Sequence, residues 1–153
     1  DIYTSNIIDD VKYSSKDTKG NSYNINASIG EIDYSRPNIV YLTNVRALIK
    51  LANSNEIKIN SDFGRYNIDN FTTIFSKNVI VKYLDNKITS EYLDFSLERN
   101  SMIISKKVVY TNPENVLKAD VIEINIETKD TKIYRYNLSD KVNINSKNNN
   151  GNN

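Results

Sequence analysis

Residues 57–81 read IKINSDFGRYNIDNFTTIFSKNVIV, and this stretch decides the fold. Its apolar residues recur at every second position, which is the period of a β-strand with one buried face. The alternation changes phase once, between Phe63 and Tyr66, and Gly64 lies inside the change. A change of phase predicts a bulge or a bend, and glycine tolerates the backbone conformation that a bend requires.

The same pattern occurs four times along the chain at intervals of about 30 residues, which is typical of stacked supersecondary units. Each copy reads large, small and large at every second position, then a three-residue step, then large and large again. The four copies are Ile25, Ala27, Ile29, Ile32, Tyr34; Ile59, Ser61, Phe63, Tyr66, Ile68; Ile88, Ser90, Tyr92, Phe95, Leu97; and Leu117, Ala119, Val121, Ile124, Ile126. One such unit cannot bury its apolar face alone, so neighbouring units are expected to stack and share a core.

The repeat also settles one ambiguous segment. Residues 45–52 fit a helical stripe and an alternating strand about equally well. The matching segments of later copies, Val79–Val81 and Val108–Tyr110, are rich in β-branched residues, which form helices poorly. The sequence therefore predicts an all-β fold, an open antiparallel roll built by adding hairpins along an axis.

The extent of the domain follows from composition. We expect one domain over residues 1–146, followed by an Asn-rich tail at residues 147–153 that is too polar to fold. The chain begins at Asp1 without a methionine. We therefore expect a trimmed fragment from which an N-terminal membrane anchor could have been removed.

Composition excludes several classes of function. The chain has no Cys and no His, which removes thiolate metal sites, most zinc chemistry and catalytic triads built on histidine. The net charge of +1 gives no bulk attraction to nucleic acid. The sequence shows no glycine-rich phosphate loop and no metal-ligand cluster, so we expect no cofactor.

Carboxylates are the remaining candidates for catalysis. Asp62, Glu91 and Asp120 each follow the small residue of a repeat, and an acid pair for glycoside hydrolysis is one interpretation. Lys or Arg residues lie near each of these acids in the sequence. This pattern is more typical of a solvated surface than of a catalytic site.

The small residues Ala27, Ser61, Ser90 and Ala119 share a face with large apolar residues. A face that alternates large and small side chains can pack tightly against a second sheet. It can also line a groove that receives an apolar ligand. The periodicity alone leaves both interpretations open.

With the repeats aligned, the chain resembles the LptC family of lipopolysaccharide-export proteins and, more distantly, their LptA and OstA-like relatives. The resemblance covers roughly residues 6–144, and its specificity lies in the order and spacing of the motifs. The motifs are Ile57–Gly64, Phe75–Val81, Ile88–Leu93, Leu117–Asp120 and Lys141–Val142.

The resemblance implies a single V-shaped β-jelly roll in the periplasm, tethered to the inner membrane by an N-terminal helix. It implies a protein that is not an enzyme. The partners that it implies are lipopolysaccharide, an inner-membrane ABC transporter that delivers the lipid, and an LptA-like periplasmic bridge protein that receives it.

We expect the lipid-binding groove on the face that carries the small residues. Its expected lining is Ile25, Ile29, Ile59, Ser61, Phe63, Ile88, Tyr92, Leu117, Ala119 and Val121. Lys58, Asp62 and Glu91 are expected to point outward from the same strands.

The last predicted strands, at residues 132–136 and 141–144, have no later strand to cover them. We expect this edge to dock the next jelly roll by β-augmentation. The edge residues are Ile133, Arg135, Val142 and Ile144.

Three alternatives stay open on the sequence. One is a soluble LptA-like bridge component, and a second is a structural or adhesion β-repeat module with a dry core. The third is a glycan-active enzyme that uses the acids named above.

Overall fold

The computed structural model describes residues 5–136 and 143–144, and within them the chain forms ten β-strands and no helix. The strands are β1 (Ser5–Lys16), β2 (Ser22–Asp33), β3 (Ile39–Lys50), β4 (Glu56–Asn67), β5 (Thr73–Tyr83), β6 (Asn86–Ser96), β7 (Ser101–Thr111), β8 (Val116–Asn125), β9 (Thr131–Tyr134) and β10 (Asn143–Ile144). The all-β prediction is confirmed, and the ambiguous residues 45–50 belong to strand β3. Val142 and the predicted tail at 147–153 lie outside the described residues.

The strands form one antiparallel sheet in which β1 to β8 pair in chain order. Both short strands pair with β8: β9 lies along residues 121–124 and β10 along residues 117–118. Strand β1 lies at one end of the described sheet, and β9 and β10 together lie at the other end.

The sheet folds over along a row of bends that crosses the middle of the long strands. The pairing of β4 with β5 shifts register between Asn60 and Phe63, and similar shifts occur in the next three strand pairs. Asn44 and Asn78, which have φ angles of 56° and 52°, lie on the same row. Asparagine tolerates this left-handed conformation better than most residues.

Each long strand therefore contributes one half to each of two layers. Layer 1 contains residues 11–16, 22–27, 45–50, 56–61, 79–83, 86–90, 108–111 and 116–119. Layer 2 contains residues 5–9, 29–33, 39–43, 63–67, 73–76, 92–96, 101–105, 121–125 and 131–134. This arrangement is the open, V-shaped jelly roll that the resemblance implied.

Aromatic side chains join the two layers near β1 to β6. The ring of Tyr23 in layer 1 lies 4.6 Å from the ring of Phe95 in layer 2, and its hydroxyl donates to Thr73 Oγ1 at 2.6 Å. Tyr13 stacks on Tyr66 at 4.7 Å. These strands are not neighbours in the sheet, so the contacts can form only because the sheet is folded. Burial raises the pKa of Tyr66 to about 12, and the ring therefore stays neutral at physiological pH.

The structure shows that the alternation of buried residues shifts earlier in each copy of the repeat than predicted. The three-residue step lies directly after the small residue, so Ser61, Gly64 and Tyr66 point inward. Phe63 points outward and is 46% exposed. The predicted inward direction of Phe63 is therefore wrong. The reason is that Gly64 has no side chain, so its buried position leaves a gap in the apolar pattern, and the apparent step therefore lies two residues too late.

Two glycines let the layers approach closely at the first repeats. Gly30 and Gly64 flank Leu42 on opposite sides. A Cβ atom at Gly30 would lie 2.9 Å from Val11 Cγ1, and one at Gly64 would lie 3.2 Å from Val45 Cγ2. Leu93 and Ile122 hold the same repeat position later in the chain, and both are buried.

Gly30→Ala is expected to destabilise the fold by about 1 to 3 kcal/mol, because the added methyl overpacks a site closed by a stiff valine. Gly64→Ala serves as the matched variant, and a smaller loss is expected because its closest contact is less severe. Urea unfolding of the two variants measures the difference. An equal or larger loss for Gly64→Ala would contradict the packing described for Val11.

Candidate functional site: an apolar cavity between the layers

A cavity of about 410 Å³ opens between the layers over the second half of the sheet. Its apolar walls come from strand halves of both layers. Layer 1 and the residue that follows β3 supply Leu51, Ile57, Val81, Tyr83, Ile88 and Tyr110, while layer 2 and the residue that follows β8 supply Met102, Ile122, Ile124, Ile126 and Ile133. Asn86, Lys129 and Thr131 complete the lining.

The walls are apolar because the strands alternate. In β8, Ile122 and Ile124 point between the layers, and in β9 the pairing places Ile133 opposite Ile122 and Thr131 opposite Ile124. Strand β9 thus extends the wall by one more strand. The volume falls within the range of about 300 to 1,000 Å³ that is usual for small-ligand sites.

The hydroxyl groups of the two tyrosines in the cavity wall, Tyr83 and Tyr110, form hydrogen bonds with polar side chains. Tyr110 Oη donates to Asn86 Oδ1 at 2.8 Å, and Tyr83 Oη lies 2.9 Å from Ser54 Oγ in the turn after β3. Because the hydroxyls have these partners, the rings can present their carbon edges and faces to the cavity without leaving an unsatisfied polar atom there.

Lys129 is the one cation in the lining that the structure describes. It lies in the β8–β9 turn with a φ of 66°, and its backbone N–H donates to the Asn125 carbonyl at 2.6 Å. A single cationic residue in a mostly apolar lining suits an amphiphile whose polar end is anionic.

Of the ten residues expected to line a groove, only Ile88 lines this cavity. Five others are buried in the core: Ile25, Ile59, Ser61, Leu117 and Ala119. Their inward direction agrees with the expectation, and Ser61 Oγ donates to the Phe63 carbonyl at 2.8 Å across the bend.

The other four expected groove residues are the third members of the repeats, and they point away from the cavity. Ile29 is 39% exposed and Phe63 is 46% exposed. Tyr92 and Val121 are half-buried and occupy the same transverse row of the sheet. Lys106 Nζ lies 5.1 Å from the centre of the Tyr92 ring on that outer surface. Their predicted inward direction is wrong. For Ile29 the reason is the one given for Phe63, because the buried Gly30 follows it, while the prediction for Tyr92 and Val121 follows from aligning their copies with these two.

Among the residues predicted for the docking edge, one lines the cavity and two others contact β8. Ile133 lines the cavity. Arg135 donates from Nη1 to the Lys118 carbonyl at 3.2 Å, while Ile144 pairs through its backbone with Leu117. These contacts place the described parts of the edge along β8.

Sequence reasoning missed most of the cavity lining, including Met102 and Ile122. A signal for Ile122 was present in the later copies, where Leu93 and Ile122 replace glycine directly after the step. A large apolar side chain at that position indicates that the layers lie farther apart there than at Gly30.

A family model described as LptC, lipopolysaccharide-assembly, LptC-related, matches residues 2–136 of the chain. The comparison with curated proteins gives no match. The described residues contain no helix that could span a membrane.

Proposed function

The chain belongs to the LptC-related family of lipopolysaccharide-assembly proteins, and from this premise we propose that the cavity between its layers holds acyl chains of lipopolysaccharide in transit. Membership of the family implies a role in the lipopolysaccharide transport bridge, in the periplasm and in association with the inner membrane. Proteins of this family act in transport and not as known enzymes.

The observation that carries the proposal is the apolar cavity itself. Exposing one acyl methylene to water costs about 0.8 kcal/mol, so a chain of about ten methylenes costs on the order of 8 kcal/mol. A lipid that crosses an aqueous compartment therefore needs a continuous apolar environment. The walls of isoleucine, leucine, valine and methionine provide one.

The position of the cavity indicates at which end of the sheet the proposed lipid path opens. The aromatic contacts that Tyr13 and Tyr23 make with the opposite layer, and the close approach at Gly30, fill the space between the layers next to β1 and β2. The cavity lies toward β8 and β9, and β9 together with β10 forms one end of the described sheet. Acyl chains would therefore leave or enter near the last strands, beside the edge that we propose for docking.

We propose that the domain receives lipopolysaccharide from an inner-membrane ABC transporter and passes it to an LptA-like jelly roll. The ends of the described sheet, at β1 and at β9 with β10, offer backbone groups that can continue one sheet into another. The resemblance supports the tether by an N-terminal helix as part of the same proposal.

Photo-crosslinking in cells tests the proposed path. A photoreactive side chain at Met102, 1% exposed and on the cavity wall, is expected to capture lipopolysaccharide. The same group at Phe63, on the outer surface of layer 2, is the control and is expected to capture little. Equal capture at the two positions, or greater capture at Phe63, would contradict a path between the layers.

A further inference from the structure

The outer surface of layer 1 is strongly basic. The residues that alternate with its buried side chains include the exposed Lys12, Arg46, Lys58, Lys82, Lys87 and Lys118. Lys50 also lies there and forms a 3.8 Å ion pair with Glu56. We call this surface the basic face. The cations named here lie on β1, β3, β4, β5, β6 and β8.

Three of these lysines stand side by side. The strand pairing places Lys58 directly opposite Lys82, and Lys82 directly opposite Lys87. Like charges directly opposite one another destabilise a sheet. Cross-strand charge interactions therefore do not account for this row, whereas the buried faces of the same strands supply the apolar packing.

Charge is segregated between the two layers. The outer surface of layer 2 carries Asp9, Glu31, Asp94 and Glu123 among its outward-facing residues. The cations described there include Arg65 and Lys132, and Lys106 reaches over the Tyr92 ring from the row of bends. The whole chain has a net charge of only +1. The basic face is therefore a result of where the charges lie and not of bulk composition.

We propose that the basic face docks on the surface of an anionic phospholipid bilayer. Lysines dominate it, and the hydrated ammonium group attracts a diffuse negative surface without needing the paired geometry that arginine provides. A protein interface normally needs buried aromatic or arginine anchors. The large exposed apolar side chains among the described residues, such as Leu84 and Tyr136, lie outside the strand segments of layer 1.

This docking goes beyond lipid transport through the cavity, because it uses the outside of the sheet and does not require the cavity to be occupied. It would hold layer 1 against the membrane and leave the row of bends, layer 2 and the ends of the sheet accessible. A nearby membrane surface would thus fix the orientation of the domain.

Vesicle sedimentation of the full 153-residue chain tests the docking. The probes are vesicles of phosphatidylcholine alone and vesicles in which about one third of the lipid is phosphatidylglycerol. The chain is expected to bind only the anionic vesicles and to be released at about 1 M salt, where the Debye length is about 3 Å.

Two triple variants with the same change in net charge locate the contact. Lys58→Gln with Lys82→Gln and Lys87→Gln is expected to weaken vesicle binding by about 100-fold, as expected for three lysines near an anionic surface. The control changes Arg65, Lys107 and Lys132 to Gln outside the basic face and is expected to bind within a few-fold of the unmodified chain. Circular dichroism confirms that both variants fold.

Three outcomes would overturn the proposal. One is absence of binding to anionic vesicles, which would leave a solvated face or an acidic protein partner. Another is equal binding to neutral vesicles. The third is an equal loss in the two triple variants, because net charge alone would then explain the attraction.

Discussion

Phe95→Ala is expected to destabilise the fold by about 3 to 5 kcal/mol, the usual cost of removing a fully buried phenylalanine side chain. Phe95 has no exposed surface, and its ring packs on Tyr23 of the opposite layer. Because single domains are stable by about 5 to 15 kcal/mol in total, this loss would consume a large share of the stability and loosen the contact between the layers.

Phe63→Ala is the matched variant, since it removes the same atoms from the outer surface. A loss below about 1 kcal/mol is expected there, because Phe63 is 46% exposed. Urea unfolding of both variants gives the comparison. Similar losses, or a greater loss for Phe63→Ala, would show that the inward and outward sides of the repeat have been assigned wrongly.

Ile124→Trp is expected to reduce the affinity for lipopolysaccharide by roughly 50-fold. Ile124 lies on the cavity wall and is only partly buried, so an indole ring can project into the cavity without displacing the core. If the ring displaces about three acyl methylenes at about 0.8 kcal/mol each, the loss is about 2.4 kcal/mol. Titration of a fluorescent lipopolysaccharide probe measures the affinity.

The control for this substitution is Ile103→Trp on the neighbouring strand β7. Ile103 pairs with Glu123 and points to the outer surface of layer 2, so the same ring is added outside the cavity. Its affinity is expected to stay within a few-fold of the unmodified chain. If both variants bind the probe equally well, the lipid does not use the cavity near Ile124.

The sequence predicted the fold well because the repeat is a property of the backbone. Alternation at every second position and a bend in each copy are enough to specify an antiparallel sheet folded over a row of bends. The assignment of residues 45–50 to a strand depended on comparison with the matching valines, and the structure confirms it. The family resemblance is also confirmed.

The site could be predicted less completely, for two physical reasons. A buried glycine carries no apolar signal, so Gly64 hid the true position of the step and Phe63 appeared to face inward. The cavity also depends on how far apart the layers lie, which is set by side chains that meet across the fold. No local pattern around Met102 or Leu51 indicates that these two residues line the same space.

Native mass spectrometry of the chain purified from its own cells without detergent tests the central claim most directly. The cavity account predicts a bound species with the mass of lipopolysaccharide on the unmodified chain, and its loss from Ile124→Trp but not from Ile103→Trp. An unmodified chain without bound lipid, or a lipid adduct that persists equally on Ile124→Trp, would contradict the claim that the space between the layers carries acyl chains.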